Sequence, residues 1–135
     1  MDEAIERVIE YVERYTQAGE RLVERLQAQR AWNLEDIERL RNGMTLGQST
    51  QATNSAERSR ELTRILAEFE QSRREIRAAV VAAALDEGMT ISEIADIFGV
   101  SRQLANRFVK DARALNDQPA SVDAVGSGSP DGRID

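Results

Sequence analysis

Apolar residues recur at helical spacing in the N-terminal part of the chain. From Ile5 to Leu26 they form a stripe about 140° wide when projected at about 100° per residue, and arginine and glutamate cover the remaining surface. This pattern predicts an amphipathic helix over residues 2–30, with Gly19 as a weak point inside it.

The next positions carry signals for a further helix and then a loop. Asn33 is placed to cap a short helix over residues 34–41, which the Asn42-Gly43 pair would end. Residues 44–55, MTLGQSTQATNS, are polar and have no apolar period. They are therefore predicted to be an internal linker.

A second long amphipathic helix is predicted after this linker. Arg73 interrupts its apolar stripe, and a bend is expected there. The run from Ala78 to Leu85 is apolar on every side, which is typical of a helix buried on several sides and is too short for a bilayer. The stripe itself lies within about 100° around the helix axis and consists of Leu62, Ile65, Leu66, Phe69, Ile76, Val80 and Ala83.

Residues 88–113, GMTISEIADIFGVSRQLANRFVKDAR, predict two helices joined by a sharp corner. Thr90 or Ile91 opens the first helix, and Gly99 ends it because glycine tolerates the positive φ of a tight turn. Ser101 is a good N-cap for a second helix over residues 102–113. The shared apolar face of the first helix is predicted to contain Ile91, Ile94, Ala95, Ile97 and Phe98.

The last helix divides into an apolar arc and a polar arc. The apolar arc consists of Leu104, Ala105, Phe108, Val109 and Ala112, and the polar arc of Arg102, Gln103, Asn106, Arg107, Lys110 and Arg113. Arginine binds guanine edges, glutamine and asparagine bind adenine edges, and basic side chains neutralise phosphate. Residues 101–113 hold four basic side chains against Asp111, so their net charge is plus three. Such a face suits a helix that lies in the major groove of DNA.

This segment resembles the helix-turn-helix DNA-binding family, in the trihelical form of resolvase and invertase DNA-binding domains and of sigma-factor region 4. The resemblance rests on Ile91, Ile94, Ala95, Gly99, Val100, Ser101, Ala105 and Phe108, and it extends to residues 73–113 if residues 73–87 are the first of the three helices. It implies that DNA faces Ser101, Arg102, Gln103, Asn106, Arg107 and Lys110. Ala105 departs from the family, where a larger aliphatic residue is more usual.

Composition excludes several other classes of protein. The 135 residues include neither cysteine nor histidine, which rules out a disulfide framework, a thiol nucleophile, an imidazole base and a Cys/His metal site. We therefore expect no enzyme, no cofactor and no metal. The acidic start and the absence of a long apolar run predict a cytoplasmic protein without a membrane segment.

Three regions are predicted along this all-α chain. Residues 1–72 form long amphipathic helices, as a hairpin or a coiled-coil-like bundle, for oligomerisation or partner binding. Residues 73–115 form the helix-turn-helix domain. Residues 116–135 hold both prolines, three glycines and four acidic side chains, and are predicted to be a disordered acidic tail.

The predicted function is that of a sequence-specific DNA-binding transcriptional regulator. Arginine outnumbers lysine by 17 to one, which indicates GC-rich coding and favours a bacterial or phage origin. We expect double-stranded DNA as the partner and a homodimer through residues 1–70, with an intramolecular hairpin as the alternative use of the same stripes. Glu93 and Asp96 keep open a protein-interaction module that contacts RNA polymerase or another regulator. An accessory factor in DNA maintenance is a further alternative.

Overall fold

The computed structural model describes residues 2–116, and this part of the chain consists of helices with no strand. This confirms the all-α class. Of the predicted tail, only Asn116 is described, as the last residue of the final helix, and residues 117–135 lie outside the described residues. The elements are α1 (Glu3–Arg41), α2 (Leu46–Ala52), α3 (Ser55–Asp86), α4 (Ile91–Phe98) and α5 (Arg102–Asn116).

Helix α1 is continuous for 39 residues, so the predicted division into two helices was wrong. No proline or glycine lies between Gly19 and Gly43 to break it. Asn33 does not cap a helix start, because its Oδ1 accepts a hydrogen bond from Nε2 of Gln29, one turn earlier, at 2.8 Å. A residue with good capping chemistry thus sits in a helix interior and bonds along the surface.

Helix α1 ends at Arg41, where the sequence predicted the end of the short helix over residues 34–41. Gly43 takes the left-handed conformation with φ of 93°. The backbone N–H of Gly43 donates to the carbonyl of Leu40 at 3.1 Å, and that of Met44 donates to the carbonyl of Arg39 at 3.0 Å. These bonds satisfy carbonyl groups that the last turn would otherwise leave without partners.

The segment predicted as a linker contains the short helix α2, which is a second correction. Thr45 and Gln48 form a capping box: the Gln48 N–H donates to Thr45 Oγ1 at 3.1 Å, and the Thr45 N–H donates to Gln48 Oε1 at 3.0 Å. Ser49 on this helix and Thr53, its C-cap residue, are buried. Because capping and buried hydroxyls stabilise α2, an apolar period could not have indicated it.

The described chain divides into an N-terminal unit, residues 6–76, and a C-terminal unit, residues 77–116 together with residues 2–5. Within the N-terminal unit, α1 and the first part of α3 run antiparallel. The rings of Tyr15 and Phe69 stack with centroids 5.1 Å apart, and further along Arg25 meets Glu61.

A buried arginine joins the two helices of the N-terminal unit. The side chain of Arg25 is 5% exposed, and its Nε donates to Oε1 of Glu61 at 2.9 Å. Its two terminal nitrogens donate to Gln29 Oε1 at 2.9 Å and to the carbonyl of Arg58 at 2.8 Å. The guanidinium groups of Arg25 and Arg58 lie 4.6 Å and 3.8 Å from the ring centroid of Trp32. Each part of this buried cation is therefore paired or stacked.

Replacing the buried arginine should destabilise the N-terminal unit. Arg25→Met removes three hydrogen bonds and leaves the carbonyl of Arg58 without that donor, and we expect a loss of about 2 kcal/mol in the free energy of unfolding. Urea unfolding followed by circular dichroism measures it. The control is Arg21→Met on the same helix. The side chain of Arg21 is exposed and lies 3.9 Å from that of Glu68, so this change should alter the free energy of unfolding by less than about 0.5 kcal/mol. Equal effects of the two changes would refute a special role for Arg25.

The C-terminal unit contains the main apolar core. It is formed by the last turns of α3, by α4 and by α5, and the predicted burial of the Ala78–Leu85 run on several sides is confirmed. Ile97 is a correction, because it was placed on the core face of α4 and is 50% exposed. The fully buried members of the core are Val81, Ala84, Ile94, Ala95, Ala105, Val109 and Ala112.

Candidate nucleic-acid interface

The turn between α3 and α4 is closed by glycine. Gly88 has φ of 85°, and the N–H of Met89 donates to the carbonyl of Ala84 at 3.0 Å. Met89 itself is half-buried against the core. The chain can therefore leave α3 and enter α4 within a few residues.

Helix α4 begins with a capping box. The Glu93 N–H donates to Thr90 Oγ1 at 3.1 Å, and the Thr90 N–H donates to Glu93 Oε1 at 2.8 Å. Threonine followed three residues later by glutamate is the sequence signal for this arrangement, in which Thr90 is the N-cap and Ile91 is the first residue of the helix. Glu93, one of the two acids that kept a protein-interaction module open, thus has a structural role.

The corner between α4 and α5 has the predicted geometry. Gly99 adopts the left-handed conformation, with φ of 64° and ψ of 38°, and the Val100 N–H donates to the carbonyl of Ala95 at 3.0 Å. Ser101 then caps α5, because its Oγ accepts from the N–H of Leu104 at 3.1 Å. These contacts set the direction in which α5 leaves the corner.

Alanine at the corner should weaken the domain through backbone strain alone. A Cβ at Gly99 would meet no atom within 4 Å, so a steric clash would not contribute to the effect of Gly99→Ala. The positive φ alone should lower the free energy of unfolding by about 1 to 2 kcal/mol. Gly99→Asn should cost less, since asparagine tolerates this conformation better. Urea unfolding checks both. Gly47→Ala in α2, where space is also open, should be neutral or slightly stabilising, and a loss there as large as at Gly99 would contradict the argument.

Helices α4 and α5 pack against each other through small residues. Ala95 is 4% exposed and Ala105 is fully buried. Ala105 is the position where the related domains usually carry a larger aliphatic residue, and here alanine is enclosed in the core. The rings of Phe98 and Phe108 meet edge to face with centroids 5.5 Å apart. Close packing by alanines and aromatic contact therefore fix α5 on α4.

The structure places the polar arc of α5 in solvent. Arg102, Gln103, Asn106, Arg107 and Lys110 are all exposed, as is the capping residue Ser101. Within residues 2–116, none of the five helical residues makes a side-chain hydrogen bond or a salt bridge, whereas the Ser101 hydroxyl accepts the cap bond. The side-chain donors of this face are therefore free to bind a ligand.

One cation beside this helix was not predicted from the sequence. The guanidinium carbon of Arg77, on α3, lies 4.3 Å from the ring centroid of Phe108. Arg77 belongs to a different helix, and only tertiary packing brings it to α5. Arg77 therefore adds a half-buried positive charge on the core-facing side of α5.

The chemistry of this face suits nucleic acid rather than a metal. An α-helix fits the major groove, where base edges present the acceptors that arginine, glutamine and asparagine bind. Among the described residues, no group of three or more carboxylates could hold a metal ion. None of the helices within residues 2–116 combines the length and the apolar character that crossing a bilayer requires.

Residues 71–119 match the family model described as a homeodomain-like domain. This match confirms the resemblance to helix-turn-helix domains, and it covers α4, α5 and the last part of α3. Comparisons with curated proteins and with solved structures gave no match. A domain of this class suggests DNA binding and a non-enzymatic protein.

Proposed function

We propose that the protein is a sequence-specific DNA-binding transcriptional regulator of bacterial or phage origin that acts in the cytoplasm. The observation that carries this proposal is the exposed, unpaired row of donors on α5, whose other face is held in the core of a helix-turn-helix domain. The protein acts by occupying its site and not by catalysis.

The position of each side chain along α5 suggests its role. The N-terminal half of such a helix meets base edges, so Gln103 and Arg107 specify sequence, with Arg107 as the preferred guanine contact because its planar donor groups bind bidentately. Asn106 lies between them and suits adenine. Arg102 and Ser101 lie at the start of the helix, and Lys110, further along, binds phosphate.

The proposed active species is a homodimer formed through residues 1–70. One domain of this size makes few phosphate contacts, and its affinity at physiological salt would be low. Joining two domains makes the second binding event intramolecular and raises the affinity for a site with two-fold symmetry.

A protein-interaction module is the second candidate. Asp96 and Ile97 are both exposed on α4, and Ile97 is a large apolar side chain with half of its surface in solvent. An acidic and apolar pair of this kind suits contact with RNA polymerase or another regulator.

Substitutions on α5 should separate base contacts from phosphate contacts. Selection from a random duplex library with the full chain first supplies the preferred site. Gln103→Ala or Arg107→Ala should then cost about 1 to 3 kcal/mol on that site and much less on random DNA. Lys110→Ala should weaken both alike and reduce the slope of log K against log salt by about 0.9. Fluorescence anisotropy titrations at several salt concentrations measure both effects.

The matched control is Arg60→Ala, which removes an exposed arginine from α3 in the N-terminal unit. It should leave the preference for the selected site unchanged. Base recognition by α5 is refuted if the library yields no preferred duplex. It is also refuted if the Gln103, Arg107 and Lys110 variants lose affinity for the selected site and for random DNA equally. In either case the interaction module becomes the better proposal.

A further inference from the structure

Helix α1 carries an apolar row that the N-terminal unit leaves open. Its members are 42% to 56% exposed, although each is a large aliphatic residue. They occur as three pairs spaced 14 residues apart, which is two heptads. We call the face of α1 from residue 9 to residue 40 that contains these pairs and the two heptads between them the α1 seam, and its six aliphatic members are Ile9, Val12, Val23, Leu26, Ile37 and Leu40.

The heptads between these pairs carry different residues at the same two positions. Thr16 and Gly19 occupy them after the first pair, and Arg30 and Asn33 after the second. The seam therefore alternates between apolar pairs and polar or small pairs over about 47 Å of helix. Any partner must match this alternation.

A groove opens in the seam at Gly19. Its volume is about 590 Å³, and its lining includes Val23, Leu26 and the aromatic ring of Phe69. Glu20 and Glu24 also line this groove. It can therefore take a long side chain with an apolar stem and a positive end.

We propose that the occupant of the α1 seam is the α1 seam of a second copy of this chain, packed antiparallel as a two-stranded coiled coil. With the two-fold axis at the level of Glu24 and Arg25, Ile9 faces Leu40, Val12 faces Ile37 and Val23 faces Leu26 of the other copy. Each apolar pair then meets an apolar pair.

The same axis also matches the remaining positions. Thr16 faces Asn33 of the other copy, and Gly19 faces Arg30. Each Arg30 enters the groove of the opposite copy, where its stem covers apolar surface and its guanidinium reaches Glu20 and Glu24. Symmetry fills both grooves in this way.

Charge distinguishes this arrangement from a parallel one. In a parallel pair in register, Arg30 would face Arg30 and Gly19 would face Gly19, which places like charges together and leaves a void. Within residues 2–116, Arg30, Glu20 and Glu24 take part in no salt bridge. Their charges are therefore available to a second copy.

Burial supports a further copy as well. Among the described residues of the N-terminal unit, Ala18 is the one fully buried apolar side chain, so this unit by itself encloses almost no apolar core. A second hairpin against the seam would cover its six aliphatic residues. This inference deepens the proposed homodimer and does not depend on DNA binding.

Cysteine cross-linking tests the direction, because the chain has no cysteine of its own. Ile9→Cys and Leu40→Cys are prepared as separate full-length proteins and oxidised alone or mixed. The antiparallel dimer should give disulfide-linked dimer only in the mixture, since Ile9 and Leu40 of opposite copies are adjacent while identical positions are about 47 Å apart. Cross-linking of each protein alone, or none in the mixture, would overturn the proposal.

A charge exchange tests the pairing of Arg30 with the groove. Arg30→Glu or Glu20→Arg alone should weaken dimerisation by about tenfold or more in sedimentation equilibrium, and the double exchange should recover most of the loss. Arg14→Glu makes the same charge change on an exposed side chain off the seam and should leave the dimer intact. A monomeric parent at tens of micromolar, or a double exchange no better than the single ones, would refute it. DNA titration of the same proteins is a separate readout, so a cross-linked dimer that binds no DNA would disprove the proposed function alone.

Discussion

The close crossing of α4 and α5 is the constraint on which the candidate interface depends. Ala95 and Ala105 leave room for the two helices to meet, and Gly99 supplies the backbone conformation that lets the chain turn between them. With Phe98 against Phe108 on the same side, the apolar arc of α5 is committed to the core. The donors on its other face are exposed as a consequence, and a larger residue at the crossing would move all of them together.

The two units use different physical means of stabilisation. The C-terminal unit buries a contiguous set of aliphatic side chains, as a small domain usually does. The N-terminal unit instead joins two long helices through the paired cation Arg25, the stack of Tyr15 on Phe69 and the indole of Trp32. Directional contacts of this kind specify how two helices align, while the aliphatic surface that they leave open favours association.

Local signals made the C-terminal unit largely predictable from sequence. Thr90, Gly99 and Ser101 are each the residue that the local backbone requires, and the face of α5 follows from its spacing. The N-terminal unit was harder to predict. Asn33 has capping chemistry but lies mid-helix, and α2 is held by a capping box inside a polar segment. The burial of Arg25 and the approach of Arg77 to Phe108 depend on tertiary contacts that no local pattern contains.

The two units differ in intrinsic fluorescence, because their aromatic residues differ. Trp32 is the sole tryptophan, and both tyrosines, Tyr11 and Tyr15, also belong to the N-terminal unit. The C-terminal unit contributes phenylalanine only, which emits weakly. Because two guanidinium groups lie over the indole ring, tryptophan emission reports on the contact between α1 and α3 and is blind to the helix-turn-helix domain. Tryptophan emission and helical ellipticity can be followed during the same thermal unfolding experiment. Together they distinguish concerted unfolding of the two units from unfolding of one unit before the other.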